Sequence, residues 1–318
     1  MPDPKNPFIE FIRVGVFGGA IAVAYILAIR WIAEHKRGTP ATTRFAKFFR
    51  LRVVGAVLLG TAVLGVFCIA YGFFIEPKRL TVTRYRIETP KIPAGETVRI
   101  VHLSDMHIRE RGRRERLLPE LVRSLKPDVI LHTGDFFART PVASDVTAEV
   151  LASWDDIPQF ACMGNLDPLG DYEGVLAKAH VAEPDLMHGI PLTVRRAKLR
   201  IFGAPSGSLF VQRKMGHLTG DAYNILLYHH PSGFPTAWDC PIDLMLAGHI
   251  HGGQVRLPFY GALITLDRYG KRYEYGRFDE HGATLIVSRG IGCEPNVPEV
   301  RFLCLPEVVF IELVGTGT

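Results

Sequence analysis

Side chains that could bind metal ions recur in five short segments of the sequence. These segments are residues 104–107, 134–135, 164–167, 229–231 and 248–253. Each follows an apolar run of strand length, so we expect them on neighbouring loops. Their carboxylate, amide and imidazole groups, with no thiolate among them, suit Mn²⁺ and also fit Fe or Zn²⁺. A single histidine of this kind is most often a hydrogen-bonded core residue, but five segments in order predict a metal site.

The spacing of the ligands indicates two ions rather than one. Asp105 and His107 are two residues apart, as are His249 and His251, and residues two apart share a face of an extended chain. A lone carboxylate such as Asp135 can bridge two ions. Two divalent ions roughly 3.5 to 4 Å apart can clamp a phosphoryl group and activate water for attack. The pattern therefore predicts a hydrolase that cleaves a phosphate ester or anhydride.

Strands and helices are predicted to alternate around these segments. The apolar runs of strand length are residues 98–103, 129–133, 160–163, 225–228 and 244–247. Helices are predicted at residues 114–125, where the apolar side chains fall on one face, and at 144–154 and 171–179. This order predicts an α/β fold with the ligand loops at the carboxyl ends of the strands.

The ordered segments resemble the calcineurin-like metallophosphoesterase superfamily, whose pattern is D-x-H, G-D, G-N-H-D/E, H and G-H-x-H. The resemblance covers residues 98–314 and implies a four-layer αββα sandwich. The ligands that it implies are Asp105, His107 and His251 for the first ion, Asn165, His229 and His249 for the second, and Asp135 as the bridge. Asp135, His251 and Asn165 would be the catalytic residues. We choose His229 rather than His230 because the family places this ligand in an H-x-P context.

Leu166 departs from the family pattern, which has histidine directly after the ligand asparagine. That histidine steadies the phosphate and protonates the leaving group, and leucine can do neither. The departure leaves three readings: a degenerate enzyme, a preference for good leaving groups such as a nucleotide phosphate, or another cation in its place. Four arginines after the first ligand loop are candidates for binding substrate phosphate, with a solvated surface as the alternative: Arg109, Arg111, Arg113 and Arg114.

The N-terminal region has the composition of a membrane anchor. Residues 1–97 carry 14 Lys and Arg against 6 Asp and Glu, whereas residues 98–318 carry 23 against 26. The acidic balance of the catalytic region argues against a nucleic-acid partner and favours membrane lipid as the counterpart of the basic region. Apolar stretches at about 9–32 and 53–75 can span a bilayer. We expect residues 1–79 to form an anchor of two transmembrane helices and a basic loop, and residues 80–318 to form the phosphoesterase domain.

Basic residues on both sides of the second apolar stretch leave the orientation open. The loop before it would lie in the cytoplasm by the positive-inside rule, but Lys78, Arg79, Arg84 and Arg86 nearly balance that loop. We expect a multi-pass protein of the inner membrane, with the side of the catalytic domain undecided. No obligate protein partner is predicted.

A narrower resemblance concerns the substrate. Residues 252–258 and 288–292, with Pro298, Arg301 and Pro306, are similar to a membrane-anchored branch that includes UDP-2,3-diacylglucosamine diphosphatases. It implies hydrolysis of an amphiphilic phosphate, UDP-2,3-diacylglucosamine, to UMP and a lipid 1-phosphate, a step of lipid A biosynthesis. The alternatives are a periplasm-facing phosphodiesterase or phosphatase for envelope phosphates and, because of Leu166, a non-catalytic membrane scaffold.

Overall fold

Two long helices precede the sheets. The structure is a computed structural model that describes residues 7–37, 52–138, 140, 142–169, 171–208, 220, 222–238, 240–265 and 267–317. Helix α1 is Pro7–Arg37 and helix α2 is Arg52–Phe74. Within the described residues, Val54–Lys78 is the one helical segment long and apolar enough to cross a membrane.

Only one of the two predicted spans is therefore supported by the described residues. Val54–Lys78 has few buried residues along its most apolar stretch and supports the span at 53–75 by length and composition alone. Helix α1 contributes a shorter apolar stretch, Ile21–Ala33, so the span at 9–32 stays a prediction. Residues 38–51, most of the predicted basic loop, lie outside the described residues.

The rest of the chain forms two mixed β-sheets, as the alternation of elements predicted. The strands in chain order are β1 (Thr81–Pro93), β2 (Thr97–Leu103), β3 (Val129–His132), β4 (Gln159–Ala161), β5 (Ile190–Val194), β6 (Ala197–Ala204), β7 (Tyr223–Tyr228), β8 (Leu244–Ala247), β9 (Arg256–Leu257), β10 (Gly261–Ala262), β11 (Gly276–Glu280), β12 (Ala283–Val287) and β13 (Glu307–Gly317). The first sheet has the order β1-β13-β2-β3-β4 and the second the order β11-β12-β8-β7-β6-β5, while β9 and β10 form a separate hairpin.

Among the described residues, four more helices alternate with the strands. They are α3 (Arg113–Ser124), α4 (Ala143–Ala152), α5 (Tyr172–Lys178) and α6 (Phe234–Ala237). The first three match the helices predicted from the sequence to within two residues at each end.

The two sheets pack face to face. Ile100 and Leu131 of the first sheet share one buried cluster with Leu227 of the second, so the space between the sheets is a dry core. On the opposite face of the first sheet, α3 contributes Leu118 and Val122 to a second cluster together with α4 and α5. The helix-sheet-sheet part of the predicted sandwich is therefore present.

The outer face of the second sheet differs from the αββα expectation. Within the described part of the chain it carries only the four-residue α6 and short 3₁₀ turns. Large buried rings of Phe234, Tyr269 and Tyr273 cover the sheet there. Among the described residues, these aromatic side chains cover the face where the expectation placed a helical layer.

Strand direction brings the ligand segments together. β2, β3 and β4 run parallel in the first sheet, and β7 runs parallel to β8 in the second. The carboxyl ends of parallel strands meet at one edge of a sheet. Each of these five strands is followed within three residues by one of the five ligand segments.

Candidate dinuclear metal centre

The first sheet supplies four of the seven predicted ligands. Asp105 and His107 follow β2, Asp135 follows β3 and Asn165 follows β4. The other three come from the second sheet: His229 follows β7, and His249 and His251 follow β8. The candidate site therefore lies where the two sheets meet.

Five of the seven ligands adopt a left-handed backbone. The φ angles are 49° at Asp105, 39° at His107, 55° at Asp135, 70° at His249 and 52° at His251. Such angles are uncommon for residues with a side chain and cost of order 1–3 kcal/mol each. The prediction that strand alternation orients the members of each two-residue pair is therefore wrong. β2 and β8 end before these residues, and tight turns orient the side chains instead.

The ligands of the first predicted ion lie together. Nε2 of His107 lies 3.2 Å from Nε2 of His251, and the two rings stack with 5.0 Å between their centroids. Nε2 of His251 lies 3.5 Å from Oδ1 of Asp105. One ligand atom from each of these three buried residues falls within 4.8 Å of the others.

The ligands of the second predicted ion also converge. Oδ1 of Asn165 lies 2.9 Å from Nε2 of His229 and 3.0 Å from Nδ1 of His249. Oδ2 of Asp135 lies 3.3 Å from Nε2 of His229 and 3.7 Å from Nε2 of His107. Asp135 thus stands between the two sets, where a bridging ligand would have to be. The roles of all seven residues remain predictions from the sequence.

Hydrogen bonds from neighbouring groups orient these side chains. Nδ1 of His229 lies 2.6 Å from the carbonyl oxygen of Thr133, which accepts its proton and leaves Nε2 for an ion. The Asp105 carboxylate accepts from the Ser104 hydroxyl at 2.7 Å and from the His249 N–H at 3.0 Å.

Burial and charge set the protonation of the site. Burial raises the pKa of Asp105 to about 7 and lowers the pKa of His107 to about 4. Burial also holds the pKa values of His249 and His251 well below the ordinary value, so these imidazoles are neutral. Neutral imidazole is the form that binds a metal ion.

Asp135 and His229 form a coupled pair. Burial alone would raise the pKa of Asp135, but the charge of His229 and its hydrogen bond hold that pKa below its usual range. Burial alone would lower the pKa of His229, but Asp135 raises it to about 9. Without a bound metal ion, His229 is therefore protonated and forms an ion pair with the Asp135 carboxylate.

The donor set fits divalent metal ions. Two imidazole nitrogens 3.2 Å apart can share only one proton, and Nδ1 of His107 has no hydrogen-bond partner among the described residues. Buried carboxylates and imidazoles packed this closely are costly unless cations bind them. Oxygen and nitrogen donors without thiolate remain compatible with Mn²⁺, Fe or Zn²⁺.

A close approach between the sheets requires glycine at position 248. A Cβ atom there would lie 1.9 Å from the Ser104 hydroxyl oxygen and 2.2 Å from Oδ2 of Asp105. The chain after β8 therefore passes directly over the carboxylate after β2, which is how His249 reaches Asp105.

Asp167 has a structural role that the sequence interpretation did not assign. Its fully buried carboxylate accepts from the N–H groups of Asp135 at 2.8 Å, Phe136 at 2.8 Å and Gly164 at 2.7 Å. It thereby ties the loop after β3 to the loop after β4. The acidic residue that closes the G-N-L-D motif was the available signal.

Arg301 is a second missed residue. Its guanidinium is fully buried and donates to the carbonyl groups of Arg289, Gly290, Gly292 and Cys304. Nη2 also lies 3.4 Å from Nδ1 of His251. The arginine thus holds four loop carbonyls beside a predicted metal ligand.

The four candidate phosphate-binding arginines differ in how far contacts within the protein already engage their guanidinium groups. Arg109 donates to the Pro295 carbonyl, and Arg114 is buried between the Pro77 carbonyl and Glu299. Arg111 forms an exposed ion pair with Glu149, and Arg113 is exposed. Their contact with substrate stays a prediction.

Leu166 and His230 flank the second set of ligands. The backbone N–H of Leu166 donates to Oδ1 of Asp135 at 2.8 Å, so this position serves the site through its main chain. Nε2 of His230 lies 2.8 Å from the Ser206 hydroxyl, and its ring centroid lies 3.9 Å from that of His249.

Comparison with known proteins decides the family. The sequence model of the calcineurin-like phosphoesterase family matches residues 98–253, which contain all seven predicted ligands. This chain contains a calcineurin-like phosphoesterase domain. The chain is therefore a metal-dependent phosphoric ester hydrolase, as the ordered motifs predicted.

Three relatives extend this comparison beyond the matched domain. The metallophosphoesterase YkuE of Bacillus subtilis is 29% identical over 285 residues, covering 83% of this chain and 95% of YkuE. Phosphodiesterase YaeI of Escherichia coli is 28% identical over 270 residues, covering 77% and 92%. UDP-2,3-diacylglucosamine pyrophosphatase LpxG of Chlamydia trachomatis is 26% identical over 300 residues, covering 74% and 89%.

Proposed function

We propose that this chain is a membrane-anchored phosphohydrolase with two metal ions that acts on an amphiphilic phosphate. One observation carries the proposal: the apolar helix α2 is attached directly to the loop that supports the candidate metal centre. The Gly72 carbonyl accepts from the N–H of Arg301 at 3.0 Å, and the guanidinium of Arg301 reaches His251. A single residue thus connects the membrane helix to a predicted ligand.

The proposed ligand assignment follows the two sets. Asp105, His107 and His251 would hold one ion, and Asn165, His229 and His249 the other, with Asp135 between them. We propose Mn²⁺, while Fe and Zn²⁺ fit the same donors. When bound, such ions polarise a phosphoryl group and lower the pKa of water. The chain itself keeps His229 in the right tautomer through Thr133 and excludes water from the carboxylate of Asp105.

Leu166 narrows the substrate class. Without the histidine that normally protonates the leaving group, the site favours a leaving group that departs as a stable anion. A phosphate monoester released from a diphosphate, such as a lipid 1-phosphate, meets this condition, whereas an alkoxide does not. The lipid-facing helix adds a requirement for an apolar tail.

UDP-2,3-diacylglucosamine satisfies both conditions and is our proposed substrate. Water would attack the α-phosphorus, the P–O bond of the diphosphate would break, and UMP and a lipid 1-phosphate would leave. The named activity of LpxG, at 26% identity, supports this choice. The protein would lie in the inner membrane with α1 as a second span, although only α2 meets the length criterion among the described residues.

The test is release of UMP by the purified full-length protein. The protein in phospholipid nanodiscs with Mn²⁺ would be given UDP-2,3-diacylglucosamine, and UMP would be measured by chromatography. We expect UMP from the wild type and none from Asp135→Ala. If the wild type releases no UMP while it cleaves a chromogenic phosphodiester, the substrate assignment is wrong and the hydrolase assignment stands.

A second candidate is a phosphodiesterase or phosphatase that faces the periplasm and acts on envelope phosphates. The name of YaeI, a phosphodiesterase 28% identical to this chain, favours it. Topology separates the two candidates because UDP-sugars are cytoplasmic. Reporter fusions after residues 80 and 318 that are active only in the periplasm would favour the phosphodiesterase and contradict the UDP-sugar assignment.

A further inference from the structure

An apolar cavity lies between the two N-terminal helices and the loops beside the metal centre. Its volume is about 440 Å³, and almost all of its lining is apolar. Helix α1 contributes Ile21 and helix α2 contributes Gly65 and Cys68, while Leu257 and Phe302 close it from the domain side. The cavity therefore joins the membrane helices to the domain.

A second cavity of about 400 Å³ begins at the metal centre. His249 and His251 line one end of it, and Ile264 lines its wall. Val255 and Val300 line both cavities, so the two meet at this pair of side chains. We call these two adjoining cavities, both lined mostly by apolar side chains, the channel.

The domain surface beside the outer cavity exposes two aromatic side chains. The β9-β10 hairpin projects Phe259 entirely into solvent, next to Pro258 of the cavity lining, and Tyr260 is also exposed. The backbone of Phe259 is left-handed, with a φ of 62°, so the chain accepts strain to hold the ring outwards. A fully exposed aromatic ring beside an apolar helix is favourable at a lipid interface.

Several contacts attach the C-terminal end of α2 and the turn after it to the phosphoesterase domain. The buried Glu76 carboxylate accepts from the N–H groups of Leu303 and Cys304, and the Tyr71 ring meets Phe302 edge to face at 6.4 Å between centroids. These contacts attach the domain end of the apolar helix, which lines the outer cavity, to the loop at residues 302–304. A tail that enters there would leave the bilayer without crossing water.

We propose that an acyl chain of a lipid phosphate lies in this channel, with its phosphate at the metal ligands. This inference rests on the proposed hydrolase function and deepens it, because it assigns the residues that bind the lipid tail. Val255 and Val300 form the passage between the two cavities, and Cys68 lines the membrane end. The substrate therefore moves sideways from the bilayer into the site.

The test compares two phosphodiesters with the same leaving group. Full-length protein in phospholipid nanodiscs with Mn²⁺ would hydrolyse methyl 4-nitrophenyl phosphate and dodecyl 4-nitrophenyl phosphate, and the ratio of their kcat/KM values would be taken. Membrane partitioning alone favours the dodecyl ester, so the effect of a variant on the ratio decides. Val300→Phe blocks the passage, and Val66→Phe makes the same change on the exposed face of α2, outside both linings.

We expect Val300→Phe to lower the dodecyl-to-methyl ratio by at least about tenfold, the contribution of two buried methylene groups. Val66→Phe should change it by less than about twofold. If Val300→Phe does not fold, Cys68→Phe is the alternative variant, because it narrows the outer cavity beside α2. An unchanged ratio in the folded passage variant, or in both variants, overturns the channel.

A second measurement does not depend on turnover. A dodecyl phosphonate with a diazirine at the chain end would be crosslinked to the wild type, and the adducts located by mass spectrometry. Adducts at Leu257, Pro258 or Phe302 that disappear on metal chelation support the channel even if neither ester is cleaved. Failure to cleave either ester would by itself refute the proposed function, independently of the adducts. Adducts confined to residues 61–73, or unaffected by chelation, mean that bulk lipid fills the gap and overturn the proposal.

Discussion

Two neighbouring stretches follow β2, residues 104–107 and 109–116, and their charged side chains make different kinds of contact. Asp105 and His107 meet residues from other strands, among them His251, whose Nε2 lies 3.5 Å from Oδ1 of Asp105 and 3.2 Å from Nε2 of His107. In the second stretch, Arg111 pairs with Glu149 and Arg114 pairs with Glu299. Both stretches carry charge and both were predicted to take part in the site.

Burial explains the difference between the two stretches. Asp105 and His107 are fully buried, and protonated His229 is the cationic group that lowers the pKa of Asp105 against the effect of burial. Buried charge of this kind persists in proteins where it is paired or binds metal. Arg111 is exposed and needs no ligand because Glu149 and water satisfy it. Buried, uncompensated polar groups are thus a stronger sign of function here than charge density.

The largest expected effect is at Asp135. Asp135→Ala should lower turnover of any phosphodiester by more than about a thousandfold, because it removes the group between the two ligand sets. Turnover and bound metal would be measured together. Asp145→Ala, which breaks an exposed pair with Lys178, is the control and should keep full activity. Substantial turnover by Asp135→Ala would refute the dinuclear centre.

Asp167→Asn should weaken metal binding by about 10- to 100-fold, the usual effect of removing a group that orients ligands. The amide nitrogen would face backbone N–H groups that now donate to a carboxylate. Metal affinity would be measured by competition with a chelator. Asp185→Asn is the matched control, since exposed Asp185 also accepts two backbone N–H groups but lies away from the ligands. Equal affinity of the two variants would contradict the supporting role.

Metal affinity should fall as the pH is lowered. The metal-free pKa values of His229, about 9, and Asp105, about 7, are raised, and only the deprotonated forms bind metal. Affinity should therefore drop by about tenfold per pH unit from 9 to 7, as His229 takes up a proton, and more steeply below 7. Calorimetry in buffers of different ionisation enthalpy would count the protons released. A constant affinity between pH 6 and pH 9 would rule out this coupling.

The smallest effect is expected at Arg111. Arg111→Ala breaks an exposed ion pair and should change the free energy of unfolding by less than about 1 kcal/mol, with little change in KM. Chemical denaturation and steady-state kinetics would measure both quantities. Glu149→Ala breaks the same pair without removing the cation. A large rise in KM for Arg111→Ala alone would show that the arginine does bind substrate phosphate.

Much of the fold could be predicted because the central strands are buried on both sides. β7 and β8 have no exposed residue, so each appears in the sequence as a continuous apolar run. β1 was not predicted, because its exposed and buried positions mix and it carries Arg84, Arg86 and Lys91. Its partner β13 lies more than two hundred residues away, and no local pattern reveals such a pairing.

The site was predictable in its residue types but not in its backbone. All seven predicted ligands come together, because parallel strands bring their carboxyl ends to one edge. The left-handed turns at Asp105 and His251 could not be foreseen, since only tertiary contacts stabilise such conformations in these residues. The roles of Asp167 and Arg301 were missed for a related reason: both bind backbone groups whose positions exist only in the folded chain.

The contacts of Gly72 and Glu76 bear on how the protein can be handled in the laboratory. A chain cut at residue 80 would lose the acceptors of the Arg301, Leu303 and Cys304 N–H groups. The loop that keeps the Arg301 guanidinium beside His251 would then lack its attachment, at a cost of about 1–3 kcal/mol for each unsatisfied buried donor. A soluble fragment that begins at Tyr71 would retain these acceptors and is the better starting point for crystallisation and metal binding.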